Sequence, residues 1–231
     1  MVGLIRIEPQ PINLPAFAIL AGRFRTSNNG NHSNSIVNAT GSLGVTVRCV
    51  AATTPAAGCL EYRANSQQIA GPLATGYTGP PAVSPSELDA LIDVAEANGT
   101  YYTSCTSNLT GDVVVLDTSA RCSYTGNTVY NSASNPGLLI VLNGGLEFGG
   151  GTDFHGLVYH ANQTNSTSWN LVEVLGNARI IGGVIVEGNA GVTAGSSGQL
   201  NILFSANAFN DINSFGTAGV VQNTWREIPP L

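Results

Sequence analysis

The sequence contains no lysine, and only 10% of its residues are charged. All eight basic residues are therefore arginines, which stand against 14 acidic residues and leave a formal net charge of −6. A surface with this charge repels phosphate backbones, and the sequence shows no basic cluster that would reverse the average. The composition therefore predicts that the protein does not bind nucleic acids.

The sequence also lacks the motifs of the common hydrolases and nucleotide-binding enzymes. GxSxG, HExxH, Walker and dinucleotide-binding motifs are all missing. The three histidines are His32, His155 and His160. His155 and His160 lie five positions apart, so on one strand their side chains point to opposite faces and disfavour a metal pair. We therefore predict no catalytic, cofactor-binding or metal site and no enzymatic activity.

The densest group of ionisable side chains is Glu147, Asp153 and His155. These residues are scattered over glycine-rich turns, a setting more typical of surface polar residues than of a catalytic site. Some parallel β-solenoids cleave acidic polysaccharides with basic side chains and calcium-binding acids in a groove, a comparison of folds only. Arg179 is the only arginine between residues 137 and 205, so the sequence does not predict such a groove.

Four cysteines are present, and they allow three pairings. The pairing of Cys49 with Cys59 and of Cys105 with Cys122 is the simplest, because each bridge closes a short loop. No CxxC spacing or neighbouring histidine indicates a zinc site, and free buried thiols are the remaining alternative. Paired cysteines imply an oxidising compartment, so we expect an exported protein.

No export signal or membrane span is recognisable in the sequence. Met1–Glu8 lacks a basic region followed by a long apolar run. Leu14–Leu20 is the longest early apolar run and is too short to cross a bilayer. We therefore expect an upstream anchor in the natural chain, and a location outside the cell, at the cell surface or on a pilus.

The region from residue 137 to residue 205 contains four apolar runs separated by glycine-rich or polar turns. The runs are Leu138–Leu142, Leu157–His160, Val184–Glu187 and Ile202–Ser205. The interval from Leu139 to Leu157 equals that from Val184 to Ile202, and the interval between these two pairs is half as long again. A repeat of about 18 residues, with one longer turn at Ala161–Trp169, predicts stacked strands. The expected fold is all-β, a right-handed parallel β-solenoid that forms one domain over residues 1–231, with a C-terminal cap over 206–231.

Alignment of the four runs at this repeat predicts which side chains fill the core. Side chains on a strand alternate between faces, so residues two apart share one face. The residues expected in one shared core are Leu139, Val141, Leu157, Tyr159, Val184, Val186, Ile202 and Phe204. The column expected to face outward is Leu142, His160, Glu187 and Ser205. His160 and Glu187 would then form an ion pair on the surface of neighbouring repeats.

One α-helix is predicted at Ser84–Asn98, as an insertion in the β structure. Ser84 or Ser86 is expected to cap its first turn, and Pro85 fits the first helical position. Its apolar stripe consists of Leu88, Leu91, Ile92 and Ala95. We expect this stripe to pack on the solenoid rather than to form a groove for a partner.

Several segments together resemble one protein family. The helix runs into EANGTYYTSC, Cys122 follows in ARCSYTGN, NPGLLIVLNGGLEFGGGTDFHGLVYH comes next, and VVQNTWREIPP closes the chain. In this order they resemble the exported region of PilX-like type IV pilus assembly proteins. The whole is also similar to the solenoid ectodomain of the large minor pilins called ComZ. The resemblance covers Ser84 to Pro230, or the chain from Phe17 onward, and includes no catalytic motif.

The resemblance implies an adhesion or pilus-tip module without enzymatic chemistry. Members of the family carry an N-terminal hydrophobic helix that anchors them in the membrane or the pilus, and this sequence departs from them because it lacks that helix. The implied partners are other pilus subunits, through the missing helix, together with glycans or surfaces. No functional residue can be carried over, since the family has no established site to map.

Three functions from different classes are compatible with these observations. The first is a non-enzymatic extracellular module of a type IV pilus-like system, either a minor pilin or a pilus-associated adhesin. The second is a β-helix protein that binds or cleaves carbohydrates, which a charged groove would favour. The third is a self-assembling scaffold, which an uncapped edge strand would favour.

Overall fold

The computed structural model of the protein describes residues 7–10, 12–26, 36–49, 58–61, 69–195, 200–214 and 217–220. Within these residues the chain forms 20 β-strands and two α-helices. The strands are β1 (Ile7–Gln10), β2 (Ile19–Ala21), β3 (Arg23–Thr26), β4 (Val37–Asn38), β5 (Val45–Val47), β6 (Leu60–Glu61), β7 (Ile69–Ala70), β8 (Leu73–Thr75), β9 (Tyr101–Tyr102), β10 (Val113–Leu116), β11 (Arg121–Tyr124), β12 (Val129–Tyr130), β13 (Gly137–Val141), β14 (Gly145–Phe148), β15 (Asp153–His160), β16 (Val172–Val174), β17 (Arg179–Val186), β18 (Gly191–Ala194), β19 (Ile202–Phe204) and β20 (Thr217–Val220). The helices are α1 (Pro85–Ala97) and α2 (Ala206–Asn213).

Most of the strands belong to two large sheets in which neighbouring strands run parallel. One sheet has 12 strands and the other has six, while β1 and β20 form a separate antiparallel pair. Each turn of the chain, which we call a rung, adds strands beside those of the preceding turn. In this way β10, β13, β15 and β17 stack in the larger sheet, and β11, β14, β16 and β18 stack in the smaller one. This arrangement is consistent with a parallel β-solenoid-like architecture.

Glycines form the corner at which β15 and β17 bend. Gly156 and Gly182 have φ angles of +142° and +156°, a region that L side chains rarely adopt. The two glycines pair with each other in register, and Gly156 also pairs with Gly137. A Cβ at Gly156 would clash with the backbone of Gly137, and a Cβ at Gly182 would clash with that of Gly156. The rungs therefore stack closely at this corner because three successive rungs carry glycine there.

The order of the rungs in space differs from their order in the sequence. β17 pairs with β2 as well as with β15, β18 pairs with β3, and β19 pairs with β4. The N-terminal strands therefore continue the stack that begins at β9 and runs through β10, β13, β15 and β17. We call the pairs β17–β2, β18–β3 and β19–β4 the junction. α1 lies in the connection between β8 at one end of the stack and β9 at the other.

The register between neighbouring rungs differs by one residue from the predicted register. Leu139 pairs with Val158, and Val158 pairs with Val184, whereas Leu157 pairs with Leu138. The interval from Leu139 to its partner Val158 is therefore one position longer than the predicted interval to Leu157. The interval from Val158 to Val184 is one position shorter than the predicted interval from Leu157. A shift of one residue turns a strand's side chains to the opposite face of the sheet. Leu157 consequently points away from the side chains of Leu139 and Val184.

The eight residues predicted to share one core are divided between two apolar layers. Those buried inside the coil are Leu139, Val141, Val184, Val186 and Ile202. Leu157 and Tyr159 belong to a second layer on the outside of the larger sheet, so the prediction is wrong for them. Phe204 is half-buried and packs against both layers. Ile202 pairs with Ile180 instead of extending the column of Val184.

The second apolar layer lies between the larger sheet and the elements that cover it. Its members include Leu138, Ile140, Leu157 and Ile185 from the sheet, Leu91 and Ala95 from α1, Phe209 and Ile212 from α2, and Leu14 and Phe17 from the N-terminal segment. Parallel sheets that are covered on both faces carry apolar side chains on both. The sheet therefore has an inner core on one side and a helix-covered core on the other.

α1 begins and ends where the sequence predicts. Ser84 caps the helix, and its hydroxyl accepts a hydrogen bond from the backbone N–H of Glu87, while the Glu87 carboxylate accepts one from the N–H of Ser84. This capping box satisfies two backbone donors at the N-terminus. Leu91 and Ala95 are buried against the sheet, and Asn98 ends the helix. The half-buried members of the apolar stripe are Leu88 and Ile92.

α2 is a second helix that the sequence does not predict, so the expectation of a single helix is wrong. Ser205 caps α2, and Phe209 and Ile212 are buried. The helix has eight residues, and the asparagines among them are weak helix formers, so its stability depends on packing that the sequence does not reveal. Within the predicted C-terminal cap, residues 215–216 and 221–231 lie outside the described residues. Among the residues described, neither helix has the length and apolar character needed to cross a membrane.

Both predicted disulfides are present in the structure. Cys49 and Cys59 are joined with their Cα atoms 5.6 Å apart, and Cys105 and Cys122 with theirs 5.3 Å apart. The first bridge joins the end of the segment after β5 to the residue before β6, and the second joins the segment after β9 to β11. The bridges thus lie at opposite ends of the stack. Terminal rungs have a neighbour on one side only, so the bridges restrain the turns with the least support from pairing.

Candidate functional site

The structure separates the ionisable residues that the sequence places close together. Asp153 and His155 share the outer face of β15, because Phe154 between them points into the core. Glu147 lies on β14 in the other sheet, where its carboxylate accepts a hydrogen bond from the Ser123 hydroxyl at 3.0 Å. The three residues therefore do not form one site.

Arg179 occupies both carboxylate oxygens of Asp153. Its Nε donates to one oxygen at 2.8 Å, and its Nη2 donates to the other. An open cleft of about 310 Å³ adjoins this ion pair and is lined by Gly151, Asp153, Asn177, Arg179 and Leu200. His155 does not line the cleft, and burial lowers the pKa of its imidazole. The described residues contain no group of three or more histidine, cysteine, aspartate or glutamate side chains that could hold a metal ion.

His160 is fully buried, so the prediction that it faces outward is wrong. It pairs in register with Val141 and Val186 and lies in their column. Its Nε2 lies 3.1 Å from the carbonyl oxygen of Gly144, and its Nδ1 accepts a hydrogen bond of 3.0 Å from the backbone N–H of Asn162. Burial lowers the pKa of His160 to about 4. The imidazole is therefore neutral at pH 7 and stabilises a corner of the coil.

Glu187 forms its ion pair with Arg48 and not with His160. An Nη2–Oε2 distance of 2.6 Å joins Arg48 and Glu187, and the other carboxylate oxygen accepts a hydrogen bond from the N–H of Ala82 at 2.7 Å. Burial raises the pKa of Glu187, while Arg48 opposes that change. This carboxylate lies at the end of β17. It contacts the N-terminal block, by which we mean the strands β2 to β8, and it also contacts the segment before α1.

Three arginines meet on the outer side of the six-stranded sheet. The described residues include five arginines, and three of them gather around Trp169 and Asn170. We call Arg23, Arg25, Arg121, Trp169 and Asn170 the arginine–tryptophan surface. The arginines point outward because the residues that alternate with them on β3 and β11 are buried in the inner core.

Trp169 is half-buried and packs closely against β18. Its carbonyl oxygen accepts a hydrogen bond from the Thr193 hydroxyl at 3.0 Å. A Cβ on Gly191 would lie 2.8 Å from the Trp169 carbonyl oxygen and 3.0 Å from its Cα, so glycine permits this approach. The guanidinium carbons of Arg23 and Arg25 lie 5.2 and 5.9 Å from the indole ring centroid, which is within the range of cation–π attraction.

Asn170 connects the other two arginines of this surface. Its side-chain oxygen accepts a hydrogen bond from Nη2 of Arg25, and its carbonyl oxygen accepts one from Nη2 of Arg121. Arg25 also donates through Nε to the Thr193 hydroxyl at 3.0 Å. Arg121 forms an ion pair of 2.6 Å with Glu173 on β16. Arg25 and Arg121 therefore hold Asn170 in place from two sides.

Arg23 differs from the other two arginines because its charge is not paired by a described carboxylate. Its Nε is buried and makes no hydrogen bond. Within the described part of the chain, the ion pairs are those of Arg48, Arg121 and Arg179. The guanidinium of Arg23 instead lies over the ring of Trp169.

The arginine–tryptophan surface corrects the expectation that the protein has no basic cluster. Arg25, Arg121 and Trp169 come from three widely separated parts of the sequence. Strand alternation marks the arginines as outward-facing, but nothing in the order of residues indicates that β3 stacks on β18. The cluster therefore forms only through the junction between the two blocks of rungs.

No protein-family model matches the chain, and neither a curated protein nor a solved structure matches it significantly. The likeness to PilX-like and ComZ-like proteins therefore rests on the sequence segments quoted above.

Proposed function

We propose that this protein is a non-enzymatic extracellular module of a type IV pilus-like system, a minor pilin or pilus-associated adhesin built on a right-handed parallel β-solenoid. The observation that carries the proposal is the outer face of the six-stranded sheet, where polar side chains lie in register on successive strands. Its column consists of Ser123, Glu147, Glu173, Thr193 and Arg25. Thr193 is buried beneath Trp169, whereas the other four side chains reach the surface. A straight row of polar side chains suits contact with an extended ligand or surface.

The two disulfides support a location outside the cytoplasm. Disulfides form and persist mainly in oxidising compartments, and all four cysteines of this chain are paired. The bridges also restrain the end rungs, which a module that works outside the cell needs because no chaperone refolds it there. The disulfides therefore support an extracellular, cell-surface or pilus-associated location.

The non-enzymatic part of the proposal rests on how Asp153, Glu173 and His160 are occupied. Both carboxylate oxygens of Asp153 accept hydrogen bonds from Arg179, and Glu173 is paired with Arg121. His160 has both ring nitrogens engaged and has no exposed surface. General acid–base catalysis needs a group within hydrogen-bonding reach of a substrate, and these groups are committed to internal partners.

The proposed partners are other pilus subunits, together with glycans or surfaces along the outer wall. Weak contacts of this kind become useful when many copies act together on one fibre. Nucleic acid is not a proposed partner, because the net charge of −6 opposes binding to phosphate backbones.

Immunogold labelling of intact source cells with an antibody against this domain tests the location. We expect gold along pili or at their tips, and loss of that label in a strain without the major pilin. Label that stays on the cell surface without pili would favour a surface adhesin outside a pilus system. Label found only in sectioned cytoplasm would refute the proposal.

The second candidate function is a solenoid that binds or cleaves carbohydrates. The cleft beside Asp153 and Arg179 is the observation that favours it, because it combines a carboxylate with an exposed concave surface. A reducing-sugar assay on neutral and acidic polysaccharides tests cleavage. Turnover that disappears in Asp153→Asn but persists in Glu147→Gln would replace the adhesin proposal by this one.

The third candidate function is a self-assembling scaffold. β8 is an end strand that pairs only with β5 among the strands described, and its residues Leu73–Thr75 are all exposed. An exposed edge can pair with another chain. Concentration-dependent assembly in analytical ultracentrifugation that Ala74→Pro abolishes would favour this function over the first.

A further inference from the structure

We propose that the arginine–tryptophan surface binds an acidic saccharide, a pyranose ring that carries a carboxylate. This inference rests on the proposed function only in that a glycan is one of the proposed partners. The indole ring of Trp169 would pack against the C–H face of the sugar, and Arg23 would donate hydrogen bonds to the carboxylate. The two groups are in contact, since the Arg23 guanidinium carbon lies over the indole ring at 5.2 Å from its centroid, and the sugar would pack on the part of the indole that Arg23 and Arg25 leave uncovered.

The distribution of charge favours an anionic ligand at this surface. The whole chain has a net charge of −6, yet three of the five described arginines lie here. The other two, Arg48 and Arg179, are each paired with a carboxylate elsewhere. Glu147 and Glu173 lie on the same face of the sheet, and Glu173 is paired with Arg121, so the positive charge left without a described carboxylate partner is that of Arg23 and Arg25. A local positive charge on an acidic protein concentrates anions at that place.

Arg23 is the arginine of this cluster whose charge remains available to a ligand. Arg25 and Arg121 are engaged by Asn170, and Arg121 is also paired with Glu173. No described carboxylate pairs with Arg23. Arginine presents a planar fork of donors that fits a carboxylate with two parallel hydrogen bonds. The carboxylate of a uronic-acid-type sugar matches this geometry, and a neutral sugar does not.

Trp169 is held in place before any ligand arrives. Its carbonyl group is bonded to Thr193, its backbone packs on Gly191, and Asn170 beside it is held by Arg25 and Arg121. Such preorganisation reduces the entropy lost on binding. The backbone that carries the indole ring is therefore fixed, and the ring itself packs against the guanidinium groups of Arg23 and Arg25.

The same contacts also have a structural consequence, which the test must separate from binding. Arg23 and Arg25 belong to the N-terminal block. Trp169 and Asn170 belong to the C-terminal block, by which we mean the strands β9 to β19. The surface therefore crosses the junction. If its only role is to hold the blocks together, its variants will lower stability without affecting any ligand. Each variant is therefore assayed for both thermal unfolding and binding.

Isothermal titration calorimetry with oligogalacturonate and with its methyl ester provides the test, because the two probes share the sugar ring and differ in charge. We expect the wild type to bind the acid and to bind the ester at least about tenfold more weakly, the effect of losing one charge-assisted hydrogen bond pair. Arg23→Gln should weaken binding of the acid by about tenfold, and Trp169→Leu by about fivefold to tenfold. Binding of the acid should weaken with added salt.

Arg179→Gln is the matched control, because it removes the same charge from the other sheet. It should change the affinity for oligogalacturonate by less than about twofold, since exposed charges beyond a Debye length are screened. Polyglutamate is the control for charge alone. Binding of polyglutamate that equals binding of oligogalacturonate, and that survives Trp169→Leu, would overturn the assignment of a sugar site.

The outcomes also distinguish this inference from the proposed function. Equal binding of the acid and the ester, unaffected by Arg23→Gln, would overturn the acidic-saccharide site and leave glycan contact by the protein intact. Failure to bind either probe overturns the site, while pilus labelling decides the proposed function independently. If Arg23→Gln loses thermal stability but keeps its affinity for oligogalacturonate, the surface only stabilises the fold. That result also overturns the inference.

Discussion

Acidification should destabilise the folded protein through His160. An unfolded imidazole titrates near pH 6.5, whereas burial lowers the pKa of His160 in the folded state to about 4. Above about pH 6.5 both states are neutral, so the group causes no pH dependence there. Between the two pKa values the unfolded chain takes up a proton that the folded chain does not, and the free energy of unfolding falls. At 1.36 kcal/mol per pKa unit, the loss reaches about 3 kcal/mol near pH 4.

The hydrogen bonds of His160 explain why the folded protein resists this proton. Nδ1 accepts from the N–H of Asn162, and Nε2 lies beside the carbonyl oxygen of Gly144. In the neutral ring, Nε2 donates while Nδ1 accepts, so both bonds are satisfied. Protonation would place a donor on Nδ1 against the donor of Asn162. Val141 and Val186 on the neighbouring rungs offer no counter-charge.

Urea unfolding followed by circular dichroism between about pH 8 and pH 4 measures this effect. His160→Gln is the paired variant, because glutamine keeps a donor and an acceptor but does not titrate. The carboxylates, including Glu187, titrate in both proteins, so the difference between the two curves isolates His160. We expect the wild type to lose about 3 kcal/mol more than the variant between pH 7 and pH 4. Parallel curves would show that His160 is hydrated and would refute its place in the inner column.

Three further perturbations test the fold. Leu91→Ala should lower the free energy of unfolding by about 2–5 kcal/mol, because the side chain is 1% exposed between α1 and the sheet. Peptide mapping without reduction should yield the Cys105–Cys122 cross-link, and replacing both cysteines by serine should lower stability by about 3 kcal/mol. Gly156→Ala should prevent stacking of the rungs and give protein without cooperative unfolding, since its Cβ would clash with the backbone of the neighbouring rung.

Matched substitutions show whether these effects have the stated cause. Asp89→Ala lies on the exposed side of α1 and should change stability by less than about 0.5 kcal/mol. Gly58→Ala adds a Cβ with no atom of the described residues within 4 Å and should be tolerated. A large loss in Asp89→Ala, or an unaffected Leu91→Ala, would contradict the packing of α1 on the sheet.

The features that the sequence predicts correctly are those with local signals. Ser84, Pro85 and Glu87 mark the start of α1 within a few residues, and each acts through its immediate neighbours. The disulfide pairing follows from short sequence separations of 10 and 17. Parallel stacking follows from the recurrence of apolar runs. None of these inferences needs the distant parts of the chain.

The register could not be predicted because apolar side chains cover both faces of the larger sheet. Leu157 and Val158 are both fully buried. Leu157 lies in the apolar layer on the outside of the larger sheet, and Val158 lies in the inner core. Alternation of polar and apolar residues normally identifies the inner face, and here no such contrast exists. Two repeat lengths that differ by a single position therefore fit the sequence equally well, and choosing the shorter one placed His160 on the wrong face.

The candidate site could not be predicted because it depends on pairing between distant segments. Ile19 pairs with Val184, and Arg25 pairs with Thr193, across more than half of the chain. Contacts of this kind leave no period in the sequence, since the N-terminal rungs follow the last rungs in space. The sequence shows outward-facing arginines without indicating that they meet around one tryptophan.

The junction links the stability of the protein to its candidate site. Bringing β2 onto β17 closes the long loop from Ile19 to Val184, and contacts with so large a separation form late because loop closure precedes any gain from pairing. The junction lies in the middle of the stack, whereas both disulfides lie at its ends. The side chains that cross it, Arg48 to Glu187 and Arg25 to Asn170, therefore act where no covalent bridge does. A ligand that binds across Arg23 and Trp169 would contact both blocks at once, so binding there and closure of the junction should stabilise each other.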